Sequence, residues 1–192
     1  MDIGQPLPVQ VNQQTCGIAS LALAKARVGL EKDYLKGNPA LVAATQLRLH
    51  AQAAWTGIPW PKALGTAPWA LAVLARQATG MKYRIRPWTQ ATAAAAQEAL
   101  DAGHDVFLYS GGAGQWWNRF IPRHVILGLG QNDTHEAGAL TIYEPSTGQV
   151  HKAPLSAIAQ SDPTIWPALG HWRHIIFAVI PRLDNAAPPS SK

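Results

Sequence analysis

Hydrophobic and polar positions along the chain follow two different periods, one in each half. In the first half apolar residues recur at helical spacing, as Leu41, Ala44, Leu47 and Ala51 do. In the second half short apolar runs of strand length are separated by turn residues. The pattern predicts helices over residues 17–28, 40–55, 68–79 (with Thr66 as its N-cap), 92–102 and 154–160, and strands over residues 81–87, 105–110, 124–129, 139–144, 149–152 and 175–181.

Helices therefore occupy the first half of the chain, and the second half is mostly strands. This segregation predicts an α+β fold rather than a doubly wound parallel sheet. A chain of 192 residues has the length of one domain. We place that domain at residues 1–183 and expect the polar tail over residues 184–192 to be disordered.

The composition is that of a globular protein, with 47% hydrophobic and 14% charged residues. The net charge of +5 is scattered along the chain, so no nucleic-acid partner is indicated. No apolar run is long enough to span a membrane, and the first residues lack the features of a secretory signal peptide. We therefore expect a protein that is cytoplasmic as made, and delivery to another cell would need a signal-peptide-independent secretion system.

Cys16 is the single cysteine and lies where a polar loop meets the first predicted helix. A free cysteine often only fills space in the core. Here the N–H groups and partial positive charge of the helix N-terminus favour the thiolate, which is the nucleophilic form. Gln10, six residues upstream, can bring its amide to the same point and, with the Cys16 backbone N–H, hold an oxyanion. The pattern favours a cysteine nucleophile.

A cysteine nucleophile needs a base, and the base needs a group that orients it. His124 opens an apolar strand directly after a glycine-rich loop, whereas His50 is expected on the surface of the second helix. Antiparallel pairing of strands 124–129 and 139–144 would place Glu144 opposite His124. A carboxylate there can accept the imidazole N–H and fix its tautomer. A partly buried capping histidine and a solvated glutamate are the alternative interpretation.

Four segments of the sequence, taken together, resemble the papain-like cysteine peptidases. They are Gln10 followed by Cys16-Gly17 and a helix, then ALDAGHDVFLYS, HVILGLG and YEPSTG. The chain is most similar to the bacterial double-glycine leader peptidases, which mature bacteriocins. The resemblance covers roughly residues 8–180. It implies a papain-like fold, with the cysteine on the helical half and the histidine on the antiparallel sheet.

By position, the resemblance implies that Gln10 is the oxyanion donor, Cys16 the nucleophile and His124 the base. Glu144 takes the place of the usual aspartate and is one methylene longer. Thr15 stands where an acidic residue is frequent in the family. Asp133 and Gln131 are the other candidates for the group that orients His124.

The glycine-rich loop before His124 has no Lys-Ser or Lys-Thr after it, so it is not a phosphate loop. We expect a lid beside the cleft, with Gly112, Trp116 and Trp117 as substrate contacts. His171 and His174 could offer two metal ligands, but no third ligand is evident. No metal and no cofactor are expected.

The resemblance implies a protein or peptide substrate cut after small residues such as Gly-Gly. Relatives of this kind also occur as stand-alone interbacterial toxins, for which a cognate inhibitor (immunity) protein would be the partner. A peptidoglycan peptide amidase, transfer of the acyl group to an amine, and a non-catalytic binding module with the same fold are the alternatives.

Overall fold

A computed structural model describes residues 7–112, 122–130 and 138–183. Several positions singled out above lie outside these ranges: Trp116 and Trp117 of the expected lid, Gln131 and Asp133, and the tail over residues 184–192.

The first half of the chain forms the helices that the hydrophobic pattern predicts. Helix α1 spans Cys16–Arg27, α2 spans Pro39–Ala54 and α3 spans Pro68–Thr79. Short 3₁₀ helices over Lys32–Lys36 and Lys62–Leu64 lie in the connections, and the pattern did not predict them. Each is a single turn or little more, which is too short for a periodic signal.

Local chemistry explains where these helices begin and end. The Asn38 side chain accepts hydrogen bonds from Ala40 N at 3.1 Å and Leu41 N at 3.2 Å, as an N-cap does. Gly80 ends α3 with a φ of 75°. The prediction that Thr66 caps α3 is wrong, because Ala67 occupies the N-cap position and no side chain caps it.

The second half contributes a sheet and its covering helices. The strands are β1 (Tyr83–Pro87), β2 (Val106–Gly111), β3 (Pro122–Gly128), β4 (Ala139–Glu144), β5 (Gln149–Pro154) and β6 (His174–Pro181). Helix α4 spans Gln90–Asp101, α5 spans Leu155–Gln160, and a 3₁₀ segment covers Pro163–Leu169. In the described ranges the sheet has six strands, which pair antiparallel throughout in the order β1-β6-β2-β3-β4-β5.

Alternation along the central strands gives the sheet two buried faces. Phe107, Tyr109 and Leu127 pack with α1, α2 and α3 in one apolar cluster. Leu108 and Ile126 pack with α4, α5 and the Pro163–Leu169 segment in a second cluster. Helices and antiparallel strands are thus segregated as predicted, and the α+β class is confirmed.

Within the described ranges no helix combines the length and the hydropathy that crossing a membrane requires.

Candidate active site

Cys16 is the first residue of α1 and is buried, with 5% of its surface exposed. The loop before it is folded on itself: Thr15 Oγ1 donates to Asn12 O at 3.0 Å and accepts from Asn12 N at 3.2 Å. The Thr15 side chain therefore does not cap α1. The first-turn N–H groups of the helix are left to interact with a charge beside Cys16.

Gly17 allows the start of α1 to lie close to its neighbours. A Cβ at this position would come within 2.9 Å of Thr66 Cβ and 3.4 Å of Val125 Cγ2. The first distance is shorter than real carbon contacts, so only glycine fits without movement. Thr66 and Val125 thus fix how deeply the N-terminus of α1 sits against β3.

His124 lies near the start of β3, paired with Ser110 of β2 just before the register of that pair shifts. Its side chain is 7% exposed and lies close enough to Cys16 for the two groups to interact. Its Nε2 lies 2.7 Å from Glu144 Oε1. Since Nε2 is engaged by the carboxylate, Nδ1 is the ring nitrogen left for the thiol.

Glu144 ends β4, and its carboxylate is saturated with donors. Oε1 accepts from Ser146 N at 2.9 Å, and Oε2 accepts from Thr147 N at 2.9 Å and Thr147 Oγ1 at 2.8 Å. Burial alone would raise the pKa of Glu144, but His124 and these donors outweigh it and lower the pKa to about 2. A fully bonded, ionised carboxylate is held rigidly against the imidazole.

Burial would lower the pKa of His124, but its side-chain interactions with Cys16 and Glu144, together with the charges of both groups, raise it to about 9. His124 is therefore an imidazolium at neutral pH. An imidazolium between a thiol group and a carboxylate can stabilise a thiolate and later release its proton to a leaving group.

Gln10 lies in the loop before α1, and hydrogen bonds from both ends of its amide hold it in place. Its Nε2 donates to Asn12 O at 3.0 Å, and its Oε1 accepts from Ser146 Oγ at 3.2 Å. Its backbone N–H donates to Pro145 O at 2.7 Å. Gln10 is thus tied to the turn that follows Glu144. An amide nitrogen carries two protons, so one remains for a ligand.

Among the expected substrate contacts, the structure describes Gly112, which is buried and has a φ of 85°. Its neighbour Gly111 accepts a hydrogen bond from Arg173 N at 3.2 Å. His174, considered above as a metal ligand, has its Nδ1 within 2.7 Å of Ser161 Oγ. No group of three or more metal-binding side chains occurs among the described residues.

Three residues that sequence reasoning missed border the site: Thr66, Tyr109 and Gly170. The Tyr109 hydroxyl donates to Thr66 O at 2.9 Å. Burial first, and then the charge of Cys16, raises the pKa of Tyr109, so its hydroxyl stays neutral beside the sulfur. A Cβ on Gly170 would lie 2.3 Å from His124 Cδ2, so Gly170 packs directly on the ring.

Alternation within strand 105–110 places Tyr109 on one face of the sheet, but nothing local in the sequence predicts that this face adjoins Cys16. Thr66 and Gly170 lie in connections far along the chain from their partners. His50, expected at the surface, is buried and 7% exposed. The second helix packs along a wider face than its apolar residues alone indicate.

A scan of protein-family models and a search of curated proteins each found no match. Among solved structures, the chain is similar to one described as a C39-like peptidase from Bacillus anthracis, with 13% sequence identity, a TM-score of 0.53, and coverage of 93% of this chain and 96% of that one. It is also matched to the Pseudomonas avirulence protein AvrPphB, with 13% identity, a TM-score of 0.40, and coverage of 88% and 90%. The first likeness supports the papain-like fold, and the second adds no further argument.

Proposed function

We propose that this protein is a cysteine peptidase that hydrolyses peptide bonds. The observation that carries the proposal is the series Cys16, His124 and Glu144 at the N-terminus of α1, in which the His124 imidazole interacts with the thiol and is hydrogen-bonded to the carboxylate. A nucleophile, a base and an orienting carboxylate in this order are the parts that acyl transfer needs. The papain-like fold supports the same chemistry.

In the proposed reaction Cys16 Sγ attacks the carbonyl carbon of the scissile bond. His124 gives its proton to the leaving amine, the C–N bond breaks, and a thioester to Cys16 remains. His124 then takes a proton from water, whose oxygen attacks the thioester and releases Cys16 and a carboxylic acid. The free Nε2 proton of Gln10 and the Cys16 backbone N–H would stabilise the oxyanion in both steps. Glu144 keeps the imidazole oriented throughout.

We further propose that the bond cut follows a small residue, with Gly-Gly the first choice. Cys16 is only 5% exposed, so a carbonyl flanked by bulky side chains has little room to reach the sulfur. Digestion of a peptide library by the purified protein, with fragments identified by mass spectrometry, tests this preference. Equal cutting after large and small residues would contradict it.

The test of the peptidase proposal uses Cys16→Ala and His124→Ala beside the wild type. Cys16 is the single cysteine, so alkylation by iodoacetamide reports on this thiol alone. We expect Cys16→Ala to abolish cleavage, and His124→Ala to reduce both cleavage and the alkylation rate at neutral pH. Cleavage that survives in Cys16→Ala would overturn the proposal. Saturable peptide binding without cleavage in the wild type would instead favour a binding module.

An antibacterial role, with a cognate inhibitor as partner, is a separate proposal that the fold permits. Expression of the wild type and of Cys16→Ala in a bacterial cytoplasm, and then in a periplasm, tests it. Growth arrest by the wild type alone, with new protein termini, would support a protease toxin. Arrest with cleaved peptidoglycan stems would support the amidase alternative, and an amine-linked product would support acyl transfer.

A further inference from the structure

Strand β1 is an edge strand of the sheet, and no strand among the described residues pairs with its outer side. Arg182 N donates to Lys82 O at 2.7 Å and Trp88 N donates to Ile176 O at 2.8 Å, so the even-numbered residues from 82 to 88 direct their backbone groups toward β6. The N–H and C=O groups of Tyr83 and Ile85 consequently point to the open edge. Pro87 O, which points the same way, is already used, since it accepts from Thr92 Oγ1 at 2.7 Å.

The side chains beside this edge are cationic. Arg84 and Arg86 project from the same face of β1, are exposed, and line a groove of about 730 Å³ between the strand and α4, together with Arg182. Glu98 is the one carboxylate among the residues that line this groove in the described structure. Neither Arg84 nor Arg86 forms an ion pair with any described residue.

The opposite face of the strand is apolar at the centre. Ile85 is 43% exposed, although β-branched apolar residues are usually covered. A strand added at this edge would therefore meet arginine side chains on one face and an isoleucine on the other. The matching partner alternates acidic and apolar residues.

Three kinds of partner could bind at this edge: a second copy of the chain, a nucleic acid or an acidic polypeptide. The charges and the free backbone groups of β1 favour one of them. A second copy pairing antiparallel through its own β1 would bring Arg84 and Arg86 of both copies against one another, and like charges across strands destabilise pairing. A nucleic acid would satisfy the arginines but leave the outward N–H and C=O groups of Tyr83 and Ile85 without strand partners. An extended acidic polypeptide satisfies both sets of groups.

We propose that β1 is a docking edge for an extended acidic segment of a partner protein, which adds to the sheet as a further strand. The edge is separate from the candidate active site, because β6 and β2 lie between β1 and the strand that carries His124. Binding at this edge therefore requires neither Cys16 nor its proposed chemistry.

The probe is a fluorescein-labelled peptide of about six residues, the common strand length, that alternates glutamate and valine. We expect saturable binding to the wild type, followed by fluorescence anisotropy. Arg84→Glu with Arg86→Glu should weaken it at least about tenfold. Lys32→Glu with Lys62→Glu, which changes the net charge equally at exposed positions outside β1 and its neighbouring helices, is the matched control and should bind as the wild type does.

The backbone part of the proposal is tested with Ile85→Pro. The Ile85 N–H points away from β6, so proline removes an edge donor without breaking the β1–β6 ladder. Ile85→Pro should lose binding and Ile85→Val should keep it, and thermal unfolding should show that both are folded. Equal binding by Ile85→Pro and Ile85→Val would overturn strand addition.

Four other outcomes would overturn the proposal. One is no saturable binding of the acidic peptide up to about 1 mM, the weak end of specific affinities. Another is equal binding of a peptide with lysine in place of glutamate. The third is displacement of the peptide by a single-stranded oligonucleotide that binds through Arg84 and Arg86, which would identify this edge as a nucleic-acid-binding surface. The last is a concentration-dependent dimer that Ile85→Pro abolishes, which would assign the edge to a second copy.

Discussion

Gly170 limits where the His124 ring can lie, in addition to the hydrogen bond with Glu144. Its φ is 67°, and an added Cβ would lie 2.3 Å from His124 Cδ2 and 2.6 Å from Nε2. In Gly170→Ala the ring must move away from the bond it makes with Glu144. Displacement of a reacting group by about 1 Å can cost about 100-fold in rate, so we expect kcat/KM on a peptide substrate to fall at least tenfold.

Gly37→Ala is the control, because it isolates the backbone cost of the same change. Gly37 has a φ of 69° and nothing within 4 Å of its added Cβ. Both variants should lose about 1 kcal/mol of unfolding free energy from left-handed strain, but Gly37→Ala should keep full kcat/KM. Equal activity of the two variants would contradict the steric role of Gly170.

The pairing of His124 with Glu144 predicts how stability depends on pH. The pKa of His124 is raised from 6.5 to about 9, so its stabilisation is complete below pH 6.5 and is lost as the pH rises through 9. The pKa of Glu144 is lowered from 4.5 to about 2, so its stabilisation is complete above pH 4.5 and is lost as the pH falls through 2. The pair therefore stabilises the fold most between pH 4.5 and 6.5.

Glu144→Gln keeps the side-chain shape and removes the charge. Its Tm deficit relative to the wild type should be largest near pH 5 to 6 and should shrink as the pH approaches 9. Thermal unfolding followed by circular dichroism from about pH 3 to about pH 10 measures this difference. A deficit that is constant across that range would show that packing, rather than charge, is what the substitution changes.

At the level of elements, much of the fold could be predicted because its signals are local. The Asn38 cap, the first-turn Pro68 and the left-handed Gly80 set helix ends, and strand alternation set the buried faces. Strand pairing predicted that Glu144 lies directly opposite His124. The register instead pairs Leu127 with Tyr143, which sets Glu144 across from Ile126, and the side chains of Glu144 and His124 meet diagonally, at 2.7 Å. The contact of Gly170 with His124 could not be predicted, because it depends on how a distant connection packs over the sheet.

Helix α1 shows how a contact between elements can override a local preference. Alanine is a better helix former than glycine by about 1 kcal/mol, so propensity alone would make Gly17→Ala stabilising. Its Cβ, however, would come within 2.9 Å of Thr66 Cβ, and overpacking typically costs about 1–3 kcal/mol. We expect Gly17→Ala to lower the free energy of unfolding and to reduce kcat/KM by shifting Cys16.

A second substitution separates the clash from other effects of Gly17→Ala. Thr66→Gly removes the two atoms nearest to the new Cβ, Thr66 Cβ and Thr66 Oγ1, and leaves only the longer contact with Val125. The double variant should therefore recover activity relative to Gly17→Ala, a coupling that a double-mutant cycle measures. Strictly additive losses would place the cause outside this contact.

In the whole molecule, the helical half and the sheet are also joined far from Cys16, at the other end of α1. Arg27 Nε donates to both carboxylate oxygens of Asp105, at 3.0 and 2.9 Å, and its guanidinium also donates to Gly130 O. Asp105 Oδ1 accepts from Gly130 N at 2.9 Å. Burial raises the pKa of Asp105, and Arg27 and the Gly130 N–H oppose that rise.

Disrupting this ion pair should lower the stability of the protein without lowering its activity. The side chains of Arg27 and Asp105 are only 19% and 7% exposed. Asp105→Asn therefore leaves the buried charge of Arg27 without its carboxylate partner. Breaking such a pair typically costs about 3 kcal/mol. Because α1 has 12 residues and is thus about 18 Å long, the change lies far from Cys16. We expect a lower urea midpoint and an unchanged kcat/KM for the folded fraction.

Asp33→Asn serves as the control for Asp105→Asn, since Asp33 and its partner Lys36 are 70% and 77% exposed, and exposed pairs contribute little. Its urea midpoint should match that of the wild type. Replacing both partners of the buried pair, as in Arg27→Met with Asp105→Leu, should recover much of the stability, because no unpaired charge is then buried. If Asp105→Asn instead lowered kcat/KM in proportion to stability, the two ends of α1 would be coupled rather than independent.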